Sequence, residues 1–308
     1  MAASRQVYQI SATEAATLTP YKGPVTEKEL LDLKRINPYK KYIDILTTAL
    51  RVLERSKVPQ ALERITQLGQ FERTETLAEK QVSQVLSSES YKQAVATERE
   101  VVEITTVVRI ERLGEEVVIT SNTQTKQSVA QVEQAPALLD ILQSVEPTAR
   151  GVILEKLAVD KGELRDNNSK AFGRQFNDRV RYFAYIDGYE GDQLIELKNR
   201  QSNFTVDTRN GLPLYDLLQL AVILYTTESP TILMIEKCNE ERKDKLYTFE
   251  SDGLTLIDKT ALGVEHSINL ESVTILATRV LDYILDHMEL ITDEVVKAML
   301  QAKRPTNK

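Results

Sequence analysis

Apolar residues recur every three to four positions in the first part of the chain, with polar residues between them. The clearest run is Tyr42, Ile43, Ile45, Leu46, Leu50 and Leu53. This spacing places the apolar side chains on one face of an α-helix, and Pro38 and Pro59 bound the run. The pattern predicts a mainly helical N-terminal region over residues 1–130.

Two runs of β-branched residues interrupt the helical pattern. Val101–Ile110 and Glu116–Thr120 flank a Leu-Gly pair, which predicts a β-hairpin within residues 101–120. The segment that follows, Ser121–Gln134, is polar and rich in Ser, Thr and Gln. We interpret it as the boundary between the N-terminal region and a second domain over residues 131–308.

The second domain alternates between helix and strand patterns. The predicted helices are Pro136–Ser144, one that begins near Thr148, Leu214–Tyr225, Leu270–His287 and Asp293–Lys303, and the predicted strands are Arg181–Ile186, Gln193–Lys198, Thr231–Lys237 and Lys245–Phe249. The charged segment between the last two strands is interpreted as a turn. These elements predict an α/β (α+β) fold in which helices flank a mixed sheet.

The composition narrows the chemistry that is open to the chain. Of 308 residues, one is cysteine and two are histidine, which excludes a disulfide framework and a cysteine-based zinc site. Catalysis must therefore depend on carboxylates, lysine or hydroxyl groups. No apolar stretch approaches the roughly 18 residues of a membrane span, and the N-terminus lacks a secretory signal. We therefore expect an intracellular protein, cytoplasmic or nuclear, without a membrane partner.

The net charge of −7 is unevenly distributed along the chain. Residues 201–308 contain 11 basic and 17 acidic residues, so this third carries nearly all of the acid excess. The rest of the chain is close to neutral and holds local clusters of basic residues. The acidity of the whole chain therefore does not argue strongly against nucleic acid as a partner.

Two carboxylates and a lysine are brought together by a predicted turn. Asp187 follows the strand that ends at Ile186, and Glu196 and Lys198 lie two residues apart on the next strand, where they share a face. A hairpin would bring Asp187 back beside Glu196. Converging carboxylates form an oxygen-rich site that suits Mg²⁺ or Mn²⁺, and lysine can orient a water molecule or stabilise developing charge.

A third carboxylate lies upstream, on a predicted helix. Glu155 stands four residues after Gly151, and a glycine on a helix permits close approach to another backbone. Glu155 could therefore complete the metal site.

The order of these residues resembles the PD-(D/E)XK nuclease superfamily, and within it the phage lambda-type exonucleases and related viral recombination nucleases. That family shows a G-x-x-x-E helix, an Asp-Gly pair at a strand end, E-x-K on the next strand and then a helix that carries glutamine. The matching residues here are Gly151, Glu155, Asp187, Gly188, Glu196, Lys198 and Gln219. The match covers residues 148–250, about a third of the chain. Ile186 stands where the motif has proline, and Ile223 stands where a tyrosine is sometimes found.

The resemblance implies a restriction-endonuclease-like core and a role for each matching residue. The implied catalytic residues are Glu155, Asp187, Glu196, Lys198 and Gln219, and the implied ligands of Mg²⁺ or Mn²⁺ are Glu155, Asp187, Glu196 and the backbone carbonyl of Leu197. Gln219 would orient backbone or substrate. DNA is the implied substrate, and a homo-oligomer and a recombination or replication protein are further implied partners.

Three functions are compatible with these residues. The leading hypothesis is a metal-dependent deoxyribonuclease, an exonuclease that acts in recombination, repair or viral genome processing. One alternative is a catalytically inactive nuclease-fold protein with a structural or assembly role. The other is a site-specific endonuclease, because nothing before residue 147 matches the elements that bind a terminal phosphate in the family.

Basic and aromatic residues surround the proposed site in the sequence. Lys170, Arg174, Arg179, Arg181 and Arg200 could contact phosphates, with solvated surface as the alternative for each. Tyr182, Phe183 and Tyr185 are interpreted as core and sheet packing residues rather than as base-stacking residues.

Overall fold

The fold was analysed in a computed structural model. It describes residues 6–19, 42–67, 75–96, 106–113, 116–123, 136–165, 171–200, 204–205, 211–238, 241–260 and 262–301. Parts of the sequence predictions lie outside these residues: residues 101–105 and 114–115 of the predicted hairpin, most of the predicted polar boundary, Lys170, and residues 302–303 of the last predicted helix.

The described residues form helices and strands that mix along the whole chain, so the predicted α/β mixed fold is confirmed. In chain order the elements are β1 (Tyr8–Ser11), α1 (Ala12–Leu18), α2 (Tyr42–Arg55), α3 (Pro59–Gln67), α4 (Leu77–Leu86), α5 (Glu89–Ala96), β2 (Thr106–Leu113), β3 (Glu116–Thr123), α6 (Pro136–Ser144), α7 (Pro147–Asp160), β4 (Ala171–Gln175), β5 (Val180–Tyr185), β6 (Gly188–Glu190), β7 (Gln193–Arg200), α8 (Leu214–Thr227), β8 (Ile232–Cys238), β9 (Glu241–Tyr247), β10 (Thr255–Lys259), β11 (Glu265–Asn269), α9 (Leu270–Asp286) and α10 (Asp293–Gln301). Within the described ranges, no helix is both long enough and apolar enough to cross a membrane.

The chain divides into two compact units. The first combines the described residues of Met1–Thr76 with those of Gly162–Lys308, and the second is Leu77–Lys161. This division differs from the predicted boundary near residue 130. The reason is that the N-terminal elements β1, α1 and α2 pack with the C-terminal part of the chain.

The described residues of the second unit form four helices and a hairpin. Its helices share a small core that includes Val85, Tyr91, Leu142 and Ile153. Strands β2 and β3 pair antiparallel, where the sequence predicted a hairpin.

A three-stranded sheet in the order β1–β5–β4 joins the two ends of the first unit. Strand β1 runs parallel to β5 with Tyr8 opposite Val180, and β4 pairs antiparallel to β5. Tyr8 and Ile10 point into the core. Strand β1 was not predicted, because the sequence suggested only helix in this region. A four-residue strand is too short for its alternation to be distinguished from the helical pattern around it.

A four-stranded sheet in the order β6–β7–β8–β9 carries the motif residues. Strands β7 and β8 are parallel, and α8 lies between them in the sequence. Strand β9 begins at Glu241, so the prediction of a turn in this charged segment is wrong. Most of the segment is strand. The charges are tolerated because β9 is an edge strand whose residues are mostly exposed.

Helix α8 forms the centre of the first unit. Its residues from Asp216 to Leu224 are all buried, as expected for a helix with apolar residues around nearly its whole circumference. It packs against α1 and the inner face of the three-stranded sheet. The helix that follows the motif strand in the sequence is therefore buried along its central part.

We predict that the N-terminal strand is required for the stability of the first unit. The substitution Ile10→Ala should lower the free energy of unfolding by about 2 to 5 kcal/mol, because it leaves a cavity at a fully buried position. The matched control is Ile275→Ala on α9, where the side chain is 48% exposed and the change should stay within about 0.5 kcal/mol. Urea denaturation measures both variants, and equal losses would contradict a buried β1.

Candidate functional site

Four of the five residues implied as catalytic lie together in the first unit. Asp187 connects β5 to β6, Glu196 and Lys198 lie on β7, and Gln219 lies on α8. Glu155 lies on α7 in the second unit, where it is partly buried. The geometry of the site therefore rests on the four residues of the first unit.

The carboxylate of Asp187 is fixed against strand β7. Gly188 pairs with Ile195 across the β6–β7 hairpin, and Asp187 Oδ2 accepts a hydrogen bond of 2.7 Å from the backbone N–H of Leu197. Asp187 thus lies beside the backbone between Glu196 and Lys198. This is the position expected for Asp187 if the chain turns back after it, as the sequence predicts.

The glycine after Asp187 is required by a close backbone approach. Gly188 has a φ of +155°, and a Cβ atom at this position would lie 2.6 Å from the carbonyl oxygen of Arg165. Arg165 and Tyr189 exchange two backbone hydrogen bonds of 3.0 Å, which hold the segment before β4 against β6. The Asp-Gly pair is therefore more than a turn signal, because any side chain at residue 188 would clash with backbone.

The ammonium group of Lys198 joins the strand to the central helix. Lys198 Nζ donates hydrogen bonds to Glu196 Oε1 at 2.6 Å and to Gln219 Oε1 at 2.8 Å. The amide of Gln219 in turn donates to Thr13 Oγ1 on α1 at 3.0 Å. The cluster is thus supported by α1, a helix that lies in the region predicted as mainly helical but whose bounds the sequence analysis did not give.

A local signal for α1 is present in the sequence. Ser11 and Glu14 form a capping box: the Ser11 hydroxyl accepts from the Glu14 N–H, and the Glu14 carboxylate accepts from the Ser11 N–H. Serine followed three residues later by glutamate indicates a helix start. This pattern could have located α1, although it would not have revealed the contact between Thr13 and Gln219.

Burial and charge together determine the protonation of Lys198. Burial alone would lower its pKa, but the nearby carboxylates of Glu196, Asp216 and Asp187 outweigh this effect and raise the pKa above its ordinary value. Lys198 is therefore an ammonium ion at neutral pH. It can donate hydrogen bonds and stabilise negative charge, but it cannot act as a base in this state.

A second group of charges lies beside the cluster on the same face of β7. Arg200 donates to Glu236 Oε1 on β8 and to Asp216 Oδ2 on α8, both at 2.6 Å. Asp216 Oδ1 is also 3.9 Å from Lys198 Nζ. Burial would lower the pKa of Arg200, but Asp216 and Glu236 raise it. Asp216 and Glu236 were not anticipated from the sequence.

Several of the predicted phosphate contacts are engaged within the protein instead. Arg200 is committed to the two buried carboxylates just described, and Arg179 donates to both oxygens of Asp282, at 2.6 and 3.0 Å. Arg174 pairs with Glu228 at 3.2 Å. These residues thus have carboxylate partners in the folded chain, whereas Arg181 is exposed.

The oxygen atoms of Asp187 and Glu196 fit a hard divalent cation. Carboxylate and carbonyl oxygens are the ligands that Mg²⁺ prefers, and this ion is commonly held by one or two carboxylates while it keeps several waters. The carbonyl of Leu197 lies between these two residues in the chain. Among the residues that the structure describes, no group of three or more His, Cys, Asp or Glu side chains is arranged to hold a metal ion.

Comparisons with known proteins provide little further information. No model of a known protein family matches the chain, and no curated protein is significantly similar to it. One similar solved structure is named "Crystal structure of SSO0001", with 18% sequence identity and a TM-score of 0.30. The match covers 48% of this chain and 64% of that one, which is less than two thirds of its length. At this TM-score the similarity carries no argument about fold or function.

We predict that the charges around Arg200 are strongly coupled to stability. The substitution Arg200→Ala should lower the free energy of unfolding by about 3 to 5 kcal/mol, because it leaves the carboxylates of Asp216 and Glu236 buried without their cation. The matched control is Arg242→Ala on β9, which removes an exposed pair with Glu190 and should cost about 1 kcal/mol or less.

Urea denaturation measures the free energy of unfolding of both arginine variants. Urea is uncharged, so the ionic strength stays constant and ion pairs are not screened by the denaturant. A loss at Arg200 no larger than the loss at Arg242 would mean that the carboxylates around Arg200 are solvated in solution.

Proposed function

We propose that the chain is a metal-dependent nuclease that hydrolyses DNA phosphodiester bonds, as an exonuclease in recombination, repair or viral genome processing. The observation that carries the proposal is the cluster of Asp187, Glu196, Lys198 and Gln219, which joins a strand end, the next strand and the following helix in the order of the nuclease motif. Intracellular location, a homo-oligomer and partner proteins of recombination or replication stay predictions.

Lys198 would act on the substrate as a hydrogen-bond donor and a fixed positive charge. An ammonium group has three N–H donors, and the bonds to Glu196 and Gln219 account for two of them. The third can point to a phosphate oxygen or to the attacking water. Because the pKa of Lys198 is raised, this donor keeps its proton throughout the neutral pH range.

The two carboxylates would hold the cation beside this donor. Asp187 is oriented by its hydrogen bond from Leu197, and Glu196 is oriented by Lys198. When bound there, a divalent cation supplies positive charge at the phosphate and lowers the pKa of a coordinated water. Gln219 accepts a second hydrogen bond from the Lys198 ammonium and so limits its freedom to leave the site.

A catalytically inactive protein is the second candidate, and one observation favours it. Lys198 forms its shortest contact with Glu196, the carboxylate that would bind the cation, and Glu196 is only 5% exposed. Buried charge networks of this kind also serve purely structural roles. In that case the cluster would stabilise the fold and have no substrate.

We predict a cleavage activity that depends on this cluster. The protein should degrade end-labelled linear duplex DNA with Mg²⁺ or Mn²⁺, and EDTA should abolish the reaction. Lys198→Ala and Glu196→Gln should each reduce the rate by about 100- to 1000-fold, because the first removes a donor that stabilises charge in the transition state and the second weakens the hold on the cation that does so. The matched control is Lys237→Ala on β8, which removes another paired strand lysine and should leave the rate unchanged.

The substrates in the same assay distinguish the alternatives. Degradation of linear but not closed circular duplex supports an exonuclease, while cleavage of the circle at fixed positions supports a site-specific endonuclease. Labelled RNA in the same assay tests whether the protein prefers deoxyribose or ribose. No cleavage of any substrate, with all variants folded by circular dichroism, would support the inactive protein; cleavage that survives both substitutions would place the activity elsewhere.

A further inference from the structure

The outer face of the three-stranded sheet carries aromatic and cationic side chains on its central strand. Residues of β5 alternate, so that Val180, Tyr182 and Ala184 point into the core while the intervening residues point outward. The strand register places the following residues on the outer face: Gln9, Ser11, Ala171, Gly173, Gln175, Arg181, Phe183 and Tyr185. The residues opposite the two aromatic rings, Ser11, Gly173 and Ala171, are all small, so strand neighbours do not cover the rings.

Tyr185 presents an exposed ring on this face. It is 53% exposed and so is not a core residue, whereas Tyr182 is fully buried as expected. Phe183 meets the Tyr185 ring edge to face, with ring centroids 6.3 Å apart and planes at 87°. This T-shaped contact supports Tyr185 and leaves much of its surface open to solvent.

Phe183 is itself held in place from the other side. The guanidinium of Arg55 lies 4.8 Å from the centre of its ring, and Arg55 is anchored to both carboxylate oxygens of Glu14 at 2.6 Å. The supporting ring is therefore fixed by a cation–π contact and an ion pair. The exposed tyrosine rests on an ordered base rather than on a mobile side chain.

Arg181 lies across the neighbouring strand because that strand has a glycine there. A Cβ atom at Gly173 would lie 3.3 Å from Nη2 and 3.5 Å from Nε of Arg181. The missing side chain thus provides room for the guanidinium against the backbone of β4. Any larger residue at position 173 would press on the arginine.

The charge of this face is opposite to that of the chain. None of its eight strand positions is acidic, in a chain with a net charge of −7. The positive charge of Arg55 is balanced by Glu14, and Arg181 adds a further one. Tyr185 and Arg181 lie on one face of β5, four residues and about 13 Å apart. An accessible ring and a cation on one open sheet face are the combination by which proteins bind single-stranded nucleic acid: bases stack on the ring and the cation contacts phosphate.

The face also leads directly to the candidate site. Asp187 follows Tyr185 by two residues, and an extended chain covers about 7 Å in that distance. A strand whose base is stacked on Tyr185 would have its neighbouring phosphates close to Asp187 and to the Glu196 carboxylate of β7. The ring and the carboxylate cluster are thus consecutive along the chain.

We propose that the outer face of the β1–β5–β4 sheet binds unpaired nucleotides of a single-stranded nucleic acid, with a base stacked on Tyr185 and a phosphate on Arg181. A further role of this face, to guide the strand into the Asp187 cluster, rests on the proposed nuclease function. Binding itself requires no cleavage and is tested without it.

The test is fluorescence anisotropy of labelled oligo(dT) about 20 nucleotides long, in EDTA, which prevents metal-dependent cleavage. Tyr185→Ala should raise the Kd about tenfold or more, and Tyr185→Phe should restore binding because it keeps the ring. Arg181→Gln should weaken binding and reduce the slope of log Kd against log salt by about one. Oligo(U) in a parallel series shows whether DNA or RNA is preferred.

Two controls separate this proposal from the nuclease proposal. Leu246→Ala removes another exposed apolar side chain, on β9, and should not change the Kd. Lys237→Ala removes a paired lysine on β8 and should bind oligo(dT) as the wild type does. If the protein binds oligo(dT) through Tyr185 but cleaves no substrate, only the nuclease proposal is contradicted. If the protein cleaves DNA but Tyr185→Ala leaves the Kd unchanged, only the binding proposal is contradicted.

Three other outcomes would also overturn the binding face. The first is a wild-type protein that binds neither oligonucleotide. The second is equal weakening by Tyr185→Phe and Tyr185→Ala, which would assign binding to the hydroxyl rather than to stacking. The third is a changed molar mass of Tyr185→Ala in light scattering with unchanged nucleic-acid binding, which would make this face an interface between copies of the chain.

Discussion

The folded core of the first unit depends on compensating the charges that β7 buries. The cations of Lys198 and Arg200 lie on one face of a central strand, where desolvation is costly unless each finds a partner. Helix α8 supplies Asp216 and Gln219 one turn apart, and β8 supplies Glu236 in the register position opposite Lys198. Slipping β8 by one residue would turn Glu236 to the other face of the sheet. The register of the sheet and the position of the helix are thus fixed by the same set of ion pairs.

Helices with a long run of periodic apolar residues could be predicted from the sequence. Strands that pair with distant segments of the chain could not. Helix α8 was predicted as Leu214–Tyr225 and is observed as Leu214–Thr227. Strand β1 was missed because its partner Val180 lies more than 170 residues away, and parallel pairing at that distance leaves no local pattern. The first four residues of β9 were missed for another reason: their charges suggested a turn before the strand predicted at Lys245–Phe249, but they lie on an exposed sheet edge.

The candidate site was predictable to the extent that it is local. The two-residue period and the turn after Asp187 are enough to bring that carboxylate to β7, and the bond to Leu197 follows. No spacing in the sequence predicts the contact between Lys198 and Gln219, because the contact depends on where α8 lies relative to β7. The support from Thr13 depends on α1, whose capping box is visible in the sequence but whose place in the fold is not. Whether the cluster acts on a substrate or only stabilises the fold depends on the third donor of Lys198, which no pattern in the sequence reveals.

The division of the chain has a consequence for how it is made. The whole second unit, Leu77–Lys161, lies in the sequence between β1 and its partner β5. At a synthesis rate of about 5–20 residues per second, β5 leaves the ribosome roughly 10 to 30 s after β1. During that interval Tyr8, Ile10 and Leu18 have no strand or helix of the C-terminal part to cover them, although the second unit can already fold. The N-terminal apolar segment is therefore the part of the nascent chain most exposed to premature association, and a chaperone that protects it would act before the central sheet can form.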